Sequence, residues 1–329
     1  ALMREQQTTN IQSITLGFEE FRGAQNDETV LSSKIAERYG SSHTTRWIVD
    51  EDVERDLPTI LAAMDQPSVD GVNTWLVSKA AHEAGLKVVL SGVGGDELFG
   101  GYSHFDVLPK WKKQQAMLRK VPGMAMLGEK ALLAAAKYGL APTKAAALLR
   151  YGASYAGLYL AKRGLFMPRE LPELLGEEFA MEGLAALQPP GFIATSIGGD
   201  IDNGYAAVAA LEANFYLRNQ LLRDSDWASM AHSLELRTPL VDVKLLSTLA
   251  PALVNRPRGM EKKLPLANAP RKALPASVVD RPKTGFSLPM ERWLNGTSVL
   301  DSWRGVPSLA TDKCHWSRRM AYSLISEIL

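Results

Sequence analysis

Leu86-Lys87-Val88-Val89-Leu90-Ser91-Gly92-Val93-Gly94-Gly95-Asp96-Glu97-Leu98-Phe99-Gly100-Gly101-Tyr102 is a strand pattern that runs straight into glycines. The first six residues, with Val88 and Val89 at their centre, read as a strand. Five of the twelve residues Ser91–Tyr102 are glycine. Each costs roughly 0.5–1 kcal/mol of backbone entropy relative to alanine in regular structure, so a dense cluster needs a reason. One reason is close approach of backbone N–H groups to a phosphate at a strand end. The Asp96-Glu97 pair then has a use, because a carboxylate beside polyphosphate holds Mg²⁺. The other reason is a tight strand-to-helix turn with solvated acids, and the turn alone leaves both open.

Upstream, strand and helix signals alternate. Ile11–Phe18 and Thr44–Val49 read as strands. Asp27–Tyr39 carries Val30, Leu31, Ile35 and Ala36 at helical spacing and stops at Gly40. Glu51–Met64 reads as a helix, with Pro58 a caution against one straight element. Asn73–Glu83 reads as a helix closed by Gly85. Strand-helix-strand-helix-strand implies an α/β fold with a parallel twisted sheet and right-handed crossovers. Ligands bind at the carboxyl ends of such strands. Downstream, Lys110–Leu149 is rich in Ala, Leu and Lys and broken at Pro122-Gly123 and Pro142. Ala206–Leu222 is helical, and a last helix is expected near Ser317–Leu329. The expected organisation is a partial α/β nucleotide-binding domain over 1–106, a helical insertion over 107–210, and a helical part over 211–329 that completes a cleft.

The chain has 329 residues, 46% of them hydrophobic and 22% charged, ordinary figures for a globular protein with a sizeable core. Lys plus Arg (37) and Asp plus Glu (36) nearly cancel. That argues against a chain whose main task is coating nucleic acid or an anionic membrane, while leaving room for a local basic patch. No apolar run approaches the length of a membrane span, and Ala1–Gln6 lacks the apolar segment of a signal peptide. The single cysteine, Cys314, forms no internal disulfide and reads as an inert thiol. A reducing, cytoplasmic setting is expected.

Two further segments carry chemistry. In Leu222–Asp242, Asp226, Ser229, Met230 and Ser233 fall at helical i, i+3, i+4, i+7 spacing, mixing polar and apolar groups on one face. Glu235 and Arg237 then precede Pro239. The segment suits a wall of a polar cleft, or equally a capping Asp with an ion pair at a helix end. His232 has no sequence neighbour suited to a metal site. In Asp280-Arg281-Pro282-Lys283-Thr284-Gly285-Phe286, Pro282, with Pro289 just beyond, stiffens a loop that is expected to project Lys283. An ammonium there stabilises developing negative charge, or it is a surface lysine. Lys262 and Lys263 have weaker claims.

Taken together and in order, these segments resemble the asparagine synthetase family. Ser91–Tyr102 is similar to its S-G-x-G-[GS]-D-E-x-F-G-G-Y turn. Asp226–Asp242 is similar to its D-x-x-S-M-x-x-x-x-E-x-R-x-P-x-x-D segment. Arg281–Phe286 is similar to its R-x-K-x-x-F loop. The resemblance implies a nucleotide α-hydrolase-like fold and an ATP- and Mg²⁺-dependent ligase, in which a carboxylate is adenylated and ammonia displaces AMP. It places Leu16, Ser91 and Gly92 along the adenosine through backbone contacts, with Gly94 and Gly95 in the same turn. Asp96 matches a Mg²⁺–pyrophosphate ligand and Lys283 the lysine that neutralises charge. Glu97, Asp226 and Glu235 line the reacting and substrate side. The nitrogen would be ammonia from a glutaminase domain that this sequence does not contain, and a homodimer is compatible.

Two departures from the family pattern matter. The S-G-G-x-D-S phosphate loop and the first strand before it are absent, so the sequence is expected to be a fragment with little ATP chemistry. Val93 stands where glutamine-dependent asparagine synthetases carry Glu and β-lactam synthetases carry Tyr. Valine cannot move a proton, so the acceptor is expected to be a sugar acid or peptide carboxylate rather than free aspartate. A β-lactam-synthetase-like cyclase and a non-catalytic nucleotide-binding scaffold stay open as alternatives.

Overall fold

The computed structural model describes every residue except 7–9, 25, 139, 142, 200, 256–262, 282–287 and 329. After a short helix α1 (Leu2–Glu5), the β-branched run folds as β1 (Gln12–Phe18). It pairs in parallel with β2 (Ser42–Ile48), in register from Gln12 with Ser42 to Phe18 with Ile48. The connection is α2 (Thr29–Tyr39), ended by Gly40 in the left-handed region at φ 64°, where a side chain would be strained. Helix α3 (Asp50–Ala63) runs through Pro58 as one element. Pro58 is exposed, so water can satisfy the carbonyl that its missing N–H leaves.

Helix α4 (Gly71–Glu83) leads into β3 (Val88–Leu90), and α5 (Gly95–Phe99) opens out of the glycine turn. Then come α6 (His104–Leu118), α7 (Met124–Lys137), α8 (Thr143–Tyr151) and α9 (Tyr155–Arg163). The breaks fall at Pro122-Gly123 and beside Pro142, as the sequence leads one to expect. Short helices α10 (Leu171–Leu175), α11 (Glu177–Leu187) and α12 (Pro189–Ser196) precede α13 (Gly204–Leu211), a ten-residue π-helix (Glu212–Leu221) and α14 (Leu222–Met230). Strand β4 (Glu235–Arg237) follows, then α15 (Val243–Val254), α16 (Leu264–Ala267), α17 (Ala276–Val279), α18 (Met290–Gly296) and α19 (Trp316–Ser326).

The parallel α/β layout is present as two two-stranded sheets, β1–β2 and β3–β4. The fourth strand lies where the sequence reading saw only a helix end.

Residues 1–95, 219–247 and 257–329 form one compact unit; 96–218 and 248–256 form a second. The core of the first unit packs Leu16, Phe18 and Ile48 of the β1–β2 sheet against Val53, Leu57 and Ile60 of α3 and Trp75 and Leu76 of α4. Trp227 of α14, Trp293 of α18 and Met320 of α19 close it. The core of the second unit joins Phe105 and Leu108 of α6, Tyr155, Leu158 and Tyr159 of α9, and Ala207, Val208 and Leu211 of α13. Cys314 is half-buried, and burial pushes its thiol up from the ordinary range, which keeps it in the unreactive form.

Candidate active site

In the first unit, Val88 lies opposite Glu235 and Leu90 opposite Arg237. The ladder extends at both ends: the Glu235 N–H donates to the Lys87 carbonyl at 2.9 Å and the Ser91 N–H to the Arg237 carbonyl at 2.8 Å. The carboxyl ends of β3 and β4 therefore leave the sheet side by side, where ligands of parallel α/β folds bind. Register partners in a parallel pair project to one face, so Val88, Leu90, Glu235 and Arg237 share a face. All four are exposed. Glu235 accepts from Arg237 Nε at 2.8 Å.

The glycines of the turn divide by environment. Gly94 has φ +94°, and a Cβ there would stand 2.7 Å from Val241 Cγ2 and 3.2 Å from the Leu240 backbone. A Cβ on Gly95 would meet Leu240 Cδ1 at 3.0 Å. Packing against the Pro239–Val241 turn explains both without a ligand. Gly92 has nothing within 4 Å of its Cβ position, so its backbone is open to an approaching group. The Val93 N–H donates to Ser91 Oγ at 3.3 Å, and the Gly95 N–H to the Gly92 carbonyl at 3.2 Å, closing the turn.

In the second unit, the Gly101 N–H donates to the Asp96 carbonyl at 2.8 Å, and Gly100 takes φ +70°. The positive φ explains Gly100 as a helix stop after Phe99. Glu97 is 3% exposed and accepts the Tyr102 hydroxyl at 2.7 Å. Burial pushes its carboxyl up, and the neighbouring charges of Asp96 and Glu212 add to the shift. Tyr102 belongs to a buried polar cluster that sequence reasoning missed. Glu212, fully buried at the start of the π-helix, contacts His104 Nδ1 at 2.6 Å and accepts from Arg163 NH2 at 2.7 Å. The Arg163 guanidinium lies 3.6 Å from the Tyr216 ring centroid. A single acid on an apolar helix was the only sequence signal, and it named no partner.

Helix α14 corrects the even spacing read from the sequence. Asp226 and Met230 are exposed, Ser229 is buried, and Ser233 lies beyond the helix end with φ +51°. The Leu234 N–H donates to the Ser229 carbonyl at 3.1 Å, so the chain reverses there and Ser233 leaves that face. The enclosed acid is Asp224, 2% exposed, which accepts Ser68 Oγ at 2.7 Å and Trp227 Nε1 at 2.9 Å. Burial pushes its carboxyl up to about 6. Leu16 is 4% exposed, its side chain in the core and its backbone in β1. Lys262 and Lys283 lie outside the described residues. Among the described residues no group of three or more His, Cys, Asp or Glu side chains converges as a metal cage, and none of the helices is long and apolar enough to cross a membrane.

Parallel strand pairs with helical crossovers and a glycine turn at a strand's carboxyl end define a helix-rich α/β domain of the nucleotide α-hydrolase-like type. The chain belongs to the asparagine synthase family, whose profile matches residues 1–305. It is 28% identical over 310 residues to a Mycobacterium bovis protein named "Putative asparagine synthetase (glutamine-hydrolyzing)", covering 88% of this chain and 43% of that protein. It is 25% identical over 299 residues to asparagine synthetase (glutamine-hydrolyzing) 1 of Bacillus subtilis, covering 89% of this chain and 44% of that protein. The chain thus spans less than half the length of these relatives.

Proposed function

We propose that this chain is the amide-forming part of an ATP-dependent ligase. A carboxylate oxygen attacks the α-phosphorus of ATP and expels pyrophosphate. Ammonia or an amine then attacks the acyl carbon, loses a proton, and expels AMP. The membership in the asparagine synthase family supports this reading. The observation that carries it is the bond from Ser91 N–H to the Arg237 carbonyl, which sets the open backbone of Gly92 beside the carboxyl end of β4.

In this reading the backbone of Leu16, Ser91 and Gly92 holds the adenosine. Asp96 would hold Mg²⁺ through its carboxylate. The metal's chemistry is to neutralise the pyrophosphate as it leaves. Lys283 adds a positive charge to the same centre. Asp226 and Glu235, both exposed, supply carboxylates for the acceptor side. Glu97 is buried against Tyr102, so its part is to tie α5 to the residues that follow it rather than to touch substrate.

Val93 places an aliphatic side chain beside Gly92 and offers no proton acceptor. An acceptor other than free aspartate, a uronic acid or a peptide carboxylate, follows. The test is carboxylate-dependent ATP–pyrophosphate exchange by protein carrying this chain, run across aspartate, peptides and uronic acids. Exchange that requires a carboxylate and disappears in D96N and K283A supports the assignment. Exchange indifferent to both substitutions overturns it, and ordinary asparagine formation from aspartate overturns the acceptor.

A further inference from the structure

Residues 110–150 carry nine Lys and Arg against the single acid Glu129, in a chain whose overall charge is +1. The remainder of the chain is therefore net negative; residues 256–283 hold a smaller basic excess, eight Lys and Arg against Glu261 and Asp280, and the larger one lies on α6, α7 and α8. Helix α7 lays one side on α8, so closely that a Cβ on Gly128 would stand 2.8 Å from Leu149 Cδ1. Its other side and the α6–α7 turn face outward. Met117 is 71% exposed, Leu127 64%, Met126 56%, Val121 48% and Met124 41%. Lys113, Arg119, Lys120 and Lys130 are exposed among them. At this tip a depression of about 460 Å³ is lined by Arg119, Val121, Pro122, Met126, Leu149 and Arg150. Arg119 donates to the Leu149 carbonyl at 2.8 Å and Arg150 pairs with Glu129 at 3.3 Å, which holds both guanidiniums at its edge.

Large apolar side chains left in water at one place mark an interaction surface. Its charge decides the partner. A second copy meeting this face about a two-fold axis would set the cations of one against the same cations of the other, which costs several kcal/mol. Cores of protein interfaces are also depleted of lysine. Apolar side chains interleaved with lysines match instead a surface that is greasy inside and negative at its rim. We propose that the α6–α7 turn and the outward face of α7 seat on an anionic lipid bilayer. Met117, Val121, Met124, Met126 and Leu127 enter the headgroup region, and Lys113, Lys120 and Lys130 meet lipid phosphates. The contact is interfacial, since no described helix can cross a membrane.

The test is co-sedimentation with vesicles of phosphatidylcholine alone and of phosphatidylcholine mixed with phosphatidylglycerol. Binding to the mixed vesicles that weakens with added salt is expected. K113Q/K120Q/K130Q should weaken it by about a hundredfold, and M124S/M126S/L127S by tenfold or more. V243S, an exposed position in the other unit, should leave it unchanged. All these sites are exposed, and unchanged circular dichroism confirms that the variants fold. Equal binding to neutral vesicles, no binding to anionic ones, or indifference to the tip substitutions overturns the proposal. So does a tip variant that alters the mass at sedimentation equilibrium while vesicle binding persists, which would assign the face to a second copy.

Discussion

Ser68 and Asp224, far apart in sequence, meet through a 2.7 Å hydrogen bond in the core of the first unit. The same carboxylate takes the Trp227 indole N–H, so one buried acid pins α14 to the segment that enters α4. Its carboxyl is pushed by burial from 3.8 up to about 6. A folded-state value above the unfolded one means that the fold favours the protonated form. That contribution is fully present below about pH 4 and is lost as pH rises through about 6, a change of about 3 kcal/mol. Asp224→Asn can keep both hydrogen bonds without ionising. Urea denaturation from pH 4 to 8 should show the wild-type loss flattened in D224N; parallel curves would refute it.

A Cβ on Gly71 would overlap the Trp227 ring and stand 3.1 Å from Asp224 Oδ1. Gly71→Ala should therefore force α4 and α14 apart and cost about 1–3 kcal/mol. The urea midpoint measures it, and an unchanged midpoint would mean that the helices cross less closely.

The turn glycines should separate stability from ligand binding. Gly94→Ala meets both a positive φ and Val241 and should cost about 1–3 kcal/mol of stability. Gly92→Ala meets nothing and should leave the melting temperature alone while weakening ATP in equilibrium titration. Equal melting temperatures for the two variants would contradict this division.

Glu212, fully buried, pairs with Arg163, whose side chain is 24% exposed. Removing one partner leaves the other charge unmatched, at a cost of roughly 3–5 kcal/mol. Glu212→Ala should lower stability by about that much, and R163M/E212M by less than the single change. A double variant weaker than E212A would show that the pair contributes more than its desolvation costs.

On the catalytic side, Asp96→Asn should lower carboxylate-dependent exchange by about 10²-fold with little change in melting temperature. A matching fall in both would recast Asp96 as structural.

The strand segments β1, β2 and β3, the glycine turn and the helix break at Pro122-Gly123 were legible in the sequence, because each follows from neighbours a few residues apart. β-branched residues, Ile14 and Thr15 in one and Thr44, Thr45 and Ile48 in the other, favour β1 and β2, and the Pro122-Gly123 pair separates α6 from α7. Glu235-Leu236-Arg237 carries no such pattern. It is a strand only because the β3 backbone lies where its N–H and carbonyl groups need partners. Helical spacing named Asp226, which is exposed, and passed over Asp224, the acid the core encloses. That choice belongs to Ser68, Gly71 and Trp227, brought together by packing. Likewise, composition hid a basic face within a near-neutral chain. Local propensity acts through the chain itself, whereas burial, strand pairing and the company of charges are set by residues that meet only when the chain has folded.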